Sequence, residues 1–194
     1  SKNIKQVVRK SGEAGKYLGS VPPYGYLFAE NTKTALVVDK ETAPVVRMIF
    51  DRRLAGTGYR DIARELEEKE IASPYAYLTG KGFVCYKINV RLQWTAQIVS
   101  KILKNPVYAG IMENHKTETV LLATKATRVI PKEERIYVEG THEAIVTKEE
   151  LERVAAMVKH PKQADQAKRK EKYLFSGKIR CGHCRRLMRI RTDY

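Results

Sequence analysis

Apolar residues recur at helical spacing in several short stretches, and glycine or proline closes most of them. This punctuation restricts the chain to short helices and small sheets. Val45, Val46, Ile49, Phe50 and Leu54 repeat at three and four residues. Thr42 can cap that run, Pro44 suits its first turn, and Gly56-Thr57-Gly58 stops it. A second helix is expected from Tyr59 through Ile62, Ala63 and Leu66 to about Lys69. Thr95 is placed to cap a third, whose apolar face is Ile98, Val99, Ile102 and Leu103. Asn105-Pro106 ends it, because the residue before proline avoids helical geometry. Thr147-Lys148-Glu149-Glu150 reads as a capping box opening a helix through Leu151, Val154, Ala155 and Val158, which Pro161 closes.

Between these helices the pattern changes. Residues 2–14 are polar, with Ile4, Val7 and Val8, and look like the end of a helix. From Gly15 to Tyr26, three glycines and the Pro22-Pro23 pair forbid regular structure, so an extended basic segment is expected. Tyr26-Leu27-Phe28 and Ala35-Leu36-Val37-Val38 flank a polar turn, which predicts a hairpin. Residues 71–93 are mixed and turn-rich, with short strand candidates at Phe83-Val84-Cys85-Tyr86 and Ile88. Val120-Leu121-Leu122 and Arg135-Ile136-Tyr137-Val138 read as strands. The expected class is α+β: a helical domain with a helix-turn-helix-like unit and small β-hairpins, then a basic linker and a partial zinc ribbon.

Charge narrows the function. The 194 residues carry a formal net charge of +15. Residues 161–194 hold eleven Lys/Arg against three Asp/Glu. A surplus of this size favours polyanions through counterion release and long-range steering. Double-stranded DNA is the first candidate partner. A membrane surface is disfavoured because the basic tail has no broad apolar helix face. With 43% hydrophobic and 30% charged residues the chain is globular, and its start lacks the apolar core of a secretory signal. Three cysteines make no disulfide framework, so a reducing, cytoplasmic setting is expected.

The third helix would present Gln97, Ser100, Lys101 and Lys104 opposite its apolar face, residue types that bond base edges or phosphates. Thr95 and Ser100 would meet phosphates, and the preceding Trp94 and Arg60 from the second helix are further DNA-binding candidates. Lys16, Tyr17 and Tyr24 lie on the extended segment, which is thin enough for a minor groove. The plainer alternatives are an ordinary amphipathic helix with a wet face, and a linker whose tyrosines pack on the domain. More than twenty residues separate the two helices, longer than a tight helix-turn-helix allows. Cys181-Gly182-His183-Cys184 has the spacing of one zinc-ribbon knuckle, and a tetrahedral ion would need two further ligands from outside this chain. A redox pair is the competing reading, but no βαβ pattern surrounds it. Cys85 reads as a small core residue. No nucleophile sits beside a base in any motif, so no catalytic residue is assigned.

Taken in order, these blocks resemble the large serine recombinases. Gly15-Lys16-Tyr17-Leu18-Gly19 with Pro22-Pro23-Tyr24-Gly25-Tyr26 is similar to the entry of that family's recombinase domain. Trp94-Thr95, Val99, Ile102-Leu103 and Asn105-Pro106-Val107-Tyr108-Ala109-Gly110 resemble its central signature. His142-Glu143-Ala144-Ile145-Val146 resembles a third block, and Leu174 through Cys184 the start of its zinc ribbon. The resemblance implies a parent enzyme that integrates, excises or inverts mobile DNA through a serine nucleophile in a separate catalytic domain, without ATP or a catalytic metal. It implies a dimer on one site and a tetramer in the synapse. On that basis residues 1–14 are expected to end a linker helix from the catalytic domain. Residues 15–160 would form the DNA-binding recombinase domain, and 161–194 a basic linker with half a zinc ribbon. The chain would then bind an attachment half-site without cutting it. The alternative is a standalone DNA-binding transcriptional regulator or RNA-binding module.

Overall fold

The computed structural model describes residues 2–82, 93–121, 126–157 and 178–186. Contacts divide the chain into two compact units, Ser1–Ala156 and Met157–Tyr194. The first unit begins with α1 (Lys2–Glu13) and a hairpin of β1 (Tyr26–Phe28) and β2 (Leu36–Val38). Four helices follow: α2 (Ala43–Leu54), α3 (Tyr59–Glu68), α4 (Pro74–Gly80) and α5 (Ala96–Leu103). A 3-10 turn (Pro106–Ala109) leads into β3 (Ile111–Asn114), β4 (Thr117–Leu121), β5 (Ala126–Val129) and β6 (Ile136–Glu139), and α6 (Lys148–Ala156) closes the unit. The mixture of short helices and small antiparallel strands is the α+β class that the sequence predicts.

The core sits where α2, α3, α5 and α6 meet the first hairpin. Val46, Ile49, Phe50, Ile62, Leu66, Val99, Leu103 and Val154 are buried there, with Tyr26 and Leu36 from the strands. These are the periodic positions of the sequence, and each large apolar side chain so buried contributes roughly 1.5–3 kcal/mol. Among the described residues every sheet is a two-stranded antiparallel pair. Tyr26 faces Val38 in the first hairpin. β3 pairs with β6, Met112 opposite Val138, while β4 pairs with β5 in the interval between them.

Thr42 precedes α2 but does not cap it. Its backbone is already helical (φ −106°, ψ −18°), so its hydroxyl cannot reach back over the first turn. The hydroxyl instead donates to Asp39 at 2.7 Å and accepts the Gly25 N–H at 3.1 Å, tying the hairpin to the helix. The turn-rich stretch after Ile71 contains α4, a helix of seven residues that is too short to show a period. Ser73 accepts the Ala76 N–H and Pro74 takes the first turn. The Tyr77 hydroxyl then donates to Asp39 at 2.6 Å. Burial alone would raise the Asp39 pKa, but hydrogen bonds from Tyr77, Thr42 and the Glu41 N–H outweigh it and hold the carboxyl below its usual range.

The capping box of α6 closes in both directions. Glu150 N–H donates to Thr147 Oγ1 at 3.2 Å, and Thr147 N–H donates to the Glu150 carboxylate at 2.9 Å. Arg47 then grips the same carboxylate with two hydrogen bonds of 2.5 and 2.7 Å, clasping α2 to α6. Arg47 and the Thr147 N–H together hold the Glu150 pKa down to about 2. The expected strands at Phe83–Tyr86 and Ile88, the residue Leu122, and the linker from Pro161 to Gly177 lie outside the described residues.

Candidate nucleic-acid interface

The helix α5 is set in place from its first turn. Thr95 has the extended backbone of an N-cap, and its hydroxyl accepts the Ile98 N–H at 3.3 Å. The hydroxyl expected at a phosphate is therefore used to start the helix. Trp94 is 5% exposed, and its indole N–H donates to the Ile71 carbonyl at 2.8 Å. Its backbone N–H donates to the Glu67 carboxylate at the end of α3. Tyr24, also 5% exposed, packs edge-on against the indole at 5.5 Å and donates its hydroxyl to the Ala72 carbonyl at 3.0 Å. Trp94 and Tyr24 are thus core residues, against the expectation that both would face DNA. Proline and glycine do break regular structure before Tyr24, yet aromatic rings of this size bring more by burial than by exposure.

The remaining candidates do reach the surface. Gln97, Lys101 and Lys104 are exposed at intervals of four and three, one outward stripe on α5, with Ser100 half-buried beside it. Val99, Ile102 and Leu103 fill the opposite face. Arg60 is exposed in the first turn of α3, which packs against α5. Lys16 is exposed, and its carbonyl accepts the Asn114 side-chain amide at 3.1 Å. Tyr17 is half-buried against Phe28 and donates to the Val21 carbonyl at 2.7 Å, and burial pushes its phenol pKa up.

Many cations of the first unit are committed to carboxylates. Arg52 and Lys69 share Glu65, Arg64 meets Asp61, and Arg135 meets Glu113. Among the described residues Lys16, Arg60, Lys101 and Lys104 have no such partner. Lys101 on α5 and Lys104 at its C-cap therefore face solvent with no internal counter-charge.

The blocks around Asn105 and His142 turn out to brace one another. Ile145 and Val146 N–H groups donate to the Tyr108 carbonyl at 2.9 and 3.0 Å. The Tyr26 hydroxyl donates to the Glu143 carbonyl at 2.9 Å, and its ring stacks on Tyr108. His142 Nε2 lies 2.7 Å from the Val107 carbonyl, which can only accept, so that nitrogen donates, and Nδ1 lies 2.7 Å from the Thr141 hydroxyl. Gly110 ends the 3-10 turn at φ +72°, where a Cβ would meet the His142 carbonyl at 3.2 Å. The 3-10 turn among these motif residues packs against β3 and α6, and α6 in turn packs against α5.

In the second unit, Cys181 and Cys184 stand on a tight turn. Cys181 N–H donates to the Arg186 carbonyl and Arg185 N–H to the Cys181 carbonyl, both at 2.9 Å. The Cys184 and His183 N–H groups point at the Cys181 sulfur and lower its thiol pKa. Among the described residues no group of three or more His, Cys, Asp or Glu gathers, and no helix is long and apolar enough to cross a membrane.

The helical arrangement with its small strands is similar in fold to two solved structures. An LSR–DNA complex superposes with a TM-score of 0.50 at 18% identity, covering 81% of this chain and 38% of its own. A structure concerned with sequence requirements of the Listeria innocua prophage attP site gives 0.53 at 18% identity, with 94% and 62% covered. A putative DNA recombinase of Bacillus subtilis is 29% identical over 168 residues, 83% of this chain and 31% of the relative. The uncharacterized protein YefB of the same organism is 27% identical over 117 residues, 60% and 38% respectively. The chain spans about a third of these two relatives. The family model for Recombinase matches residues 40–160, more than half of the sequence. The chain belongs to this Recombinase family.

Proposed function

We propose that this chain is the DNA-binding part of a site-specific recombinase that integrates, excises or inverts mobile DNA, and that it grips an attachment half-site. The observation that carries this reading is the α5 stripe: Gln97, Lys101 and Lys104 on one exposed face, the two lysines without a carboxylate. In this reading α3 and α5 act as a helix-turn-helix-like pair despite the intervening α4. The helix α5 enters the major groove, with Gln97 and Lys101 at base edges and Lys104 on the backbone. Arg60 meets a flanking phosphate, and Lys16 with its neighbouring segment follows a minor groove. Bond breaking belongs to a serine elsewhere in the parent protein, which acts as a dimer on one site and a tetramer in the synapse. Cys181 and Cys184 would hold zinc together with two further ligands. Their close spacing on a tight turn suits two legs of a tetrahedral ion, which would brace the turn rather than react.

Footprinting of the protein on DNA flanking its own gene tests this reading, with protection expected over part of an imperfect inverted repeat. Gln97→Ala or Lys101→Ala should cost about 1–3 kcal/mol of specific binding and relax sequence preference. Unchanged specific binding by both variants would overturn the docking.

A further inference from the structure

The last turn of α5 faces the β3–β4 turn across a shallow cleft. Ser100, Lys101, Lys104 and Asn105 line it from the helix side, and Glu113 and Lys116 from the strand side. Three ammonium groups meet one carboxylate there, and that carboxylate is already engaged. Glu113, only 10% exposed, receives Arg135 at 2.7 Å, Lys116 at 3.1 Å and the Tyr137 hydroxyl at 3.2 Å. Arg135 is itself fixed, its Nε–H donating to the Ile130 carbonyl at 2.8 Å. Burial would raise the Glu113 pKa, but hydrogen bonds from Arg135 and Lys116 prevail and lower it, so the tether stays ionised. Lys116 is thereby held beside the helix end while half its side chain remains in solvent.

The helix wall offers donors without internal partners. Lys101 and Lys104 form no ion pair, and Ser100 Oγ makes no hydrogen bond among the described residues. Asn105 spends its Oδ1 on the Val107 N–H at 3.3 Å, leaving the side-chain amide N–H groups to donate outward. Such a cleft, rich in donors and converging from two elements, matches a tetrahedral anion bearing several oxygens.

We infer that this cleft seats a backbone phosphate of duplex DNA, with Lys104 and Lys116 closing on it from helix and hairpin. The inference rests on the DNA-binding reading above and adds a division of labour to it. Gln97 and Lys101 read sequence, while Lys104 and Lys116 at the cleft set the depth and register of α5 without reading any base. Lys116 has no place in a helix-centred reading, because it lies on another element.

The test measures binding of the 194-residue chain to two duplexes of equal length, one carrying the flanking inverted repeat and one scrambled, over a series of salt concentrations. Lys104→Ala and Lys116→Ala should each weaken both duplexes by the same factor, several-fold. Each should reduce the slope of log affinity against log salt by about 1. Lys33→Ala, an exposed lysine of the first hairpin, is the control and should leave both quantities unchanged. Matching circular-dichroism melts establish that the variants fold. If the wild type holds the specific duplex while both cleft variants keep its affinity and slope, the cleft inference is overturned and the DNA reading stands. If Lys116→Ala instead relaxes sequence preference, the phosphate assignment is overturned. If the wild type binds neither duplex, the DNA reading itself fails.

Discussion

Trp94 shows how far a residue's role departs from its position in a motif. It sits directly before the helix expected to meet DNA, which makes it look like a contact. In the fold it is the bolt that fixes the start of α5 against Ile71, Glu67 and Tyr24. Trp94→Ala should therefore cost about 3–5 kcal/mol of stability, as other buried aromatic truncations do. Trp94→Phe keeps much of the packing and loses the indole bond, so about 1–2 kcal/mol is expected from chemical denaturation. Gly110 is the second such position. Its φ of +72° and the His142 carbonyl 3.2 Å from a built Cβ make Gly110→Ala strained, with about 1–2 kcal/mol lost. A thermal melt indistinguishable from wild type would contradict this. What sequence could not reveal here is burial. Tyr24, Tyr17 and Lys16 share one irregular segment, and only tertiary contacts, Tyr24 with Trp94 and Tyr17 with Phe28, separate a core ring and a half-buried one from an exposed lysine.

Among the elements, those with a sustained period or a cap were legible. The helices α2, α3, α5 and α6 follow from spacing three and four, and the caps at Thr95 and Thr147 form as their chemistry predicts. Thr95→Ala should cost about 1 kcal/mol, while Thr95→Ser should restore most of it. The helix α4 was hidden because seven residues show no period. The strands β3 and β5 were hidden because four-residue runs such as Ile111-Met112-Glu113-Asn114 carry too little alternation. The α2–α6 clasp also has a pH signature. Glu150 falls from its ordinary 4.5 to about 2, so its contribution is complete above pH 4.5 and lost as pH drops towards 2. Arg47 is 39% exposed, and solvent screening limits the effect to about 1 kcal/mol. Acid titration of stability should show this loss in the wild type and a smaller one in Glu150→Gln.

For the whole molecule, sequence conveyed charge and order but not pairing. The net charge of +15 pointed to a polyanion, and the ordered blocks pointed to the family. Neither told which cations stay unpaired. That depends on side chains brought together from distant elements, such as Arg47 with Glu150 or Arg52 with Glu65. It was equally silent on the order in which strands meet, because short polar loops allow several partners.

The pairing of β3 with β6 closes a loop in the chain. Within it the antiparallel β4–β5 pair is closed at its base, where Ile130, itself buried, donates its N–H to the Lys116 carbonyl at 2.9 Å. That closure is made by main-chain atoms, so the backbone at Lys116, beside the cationic cleft, is anchored whatever side chain it carries, and exchanging that lysine alters the charge of the rim while its anchorage persists.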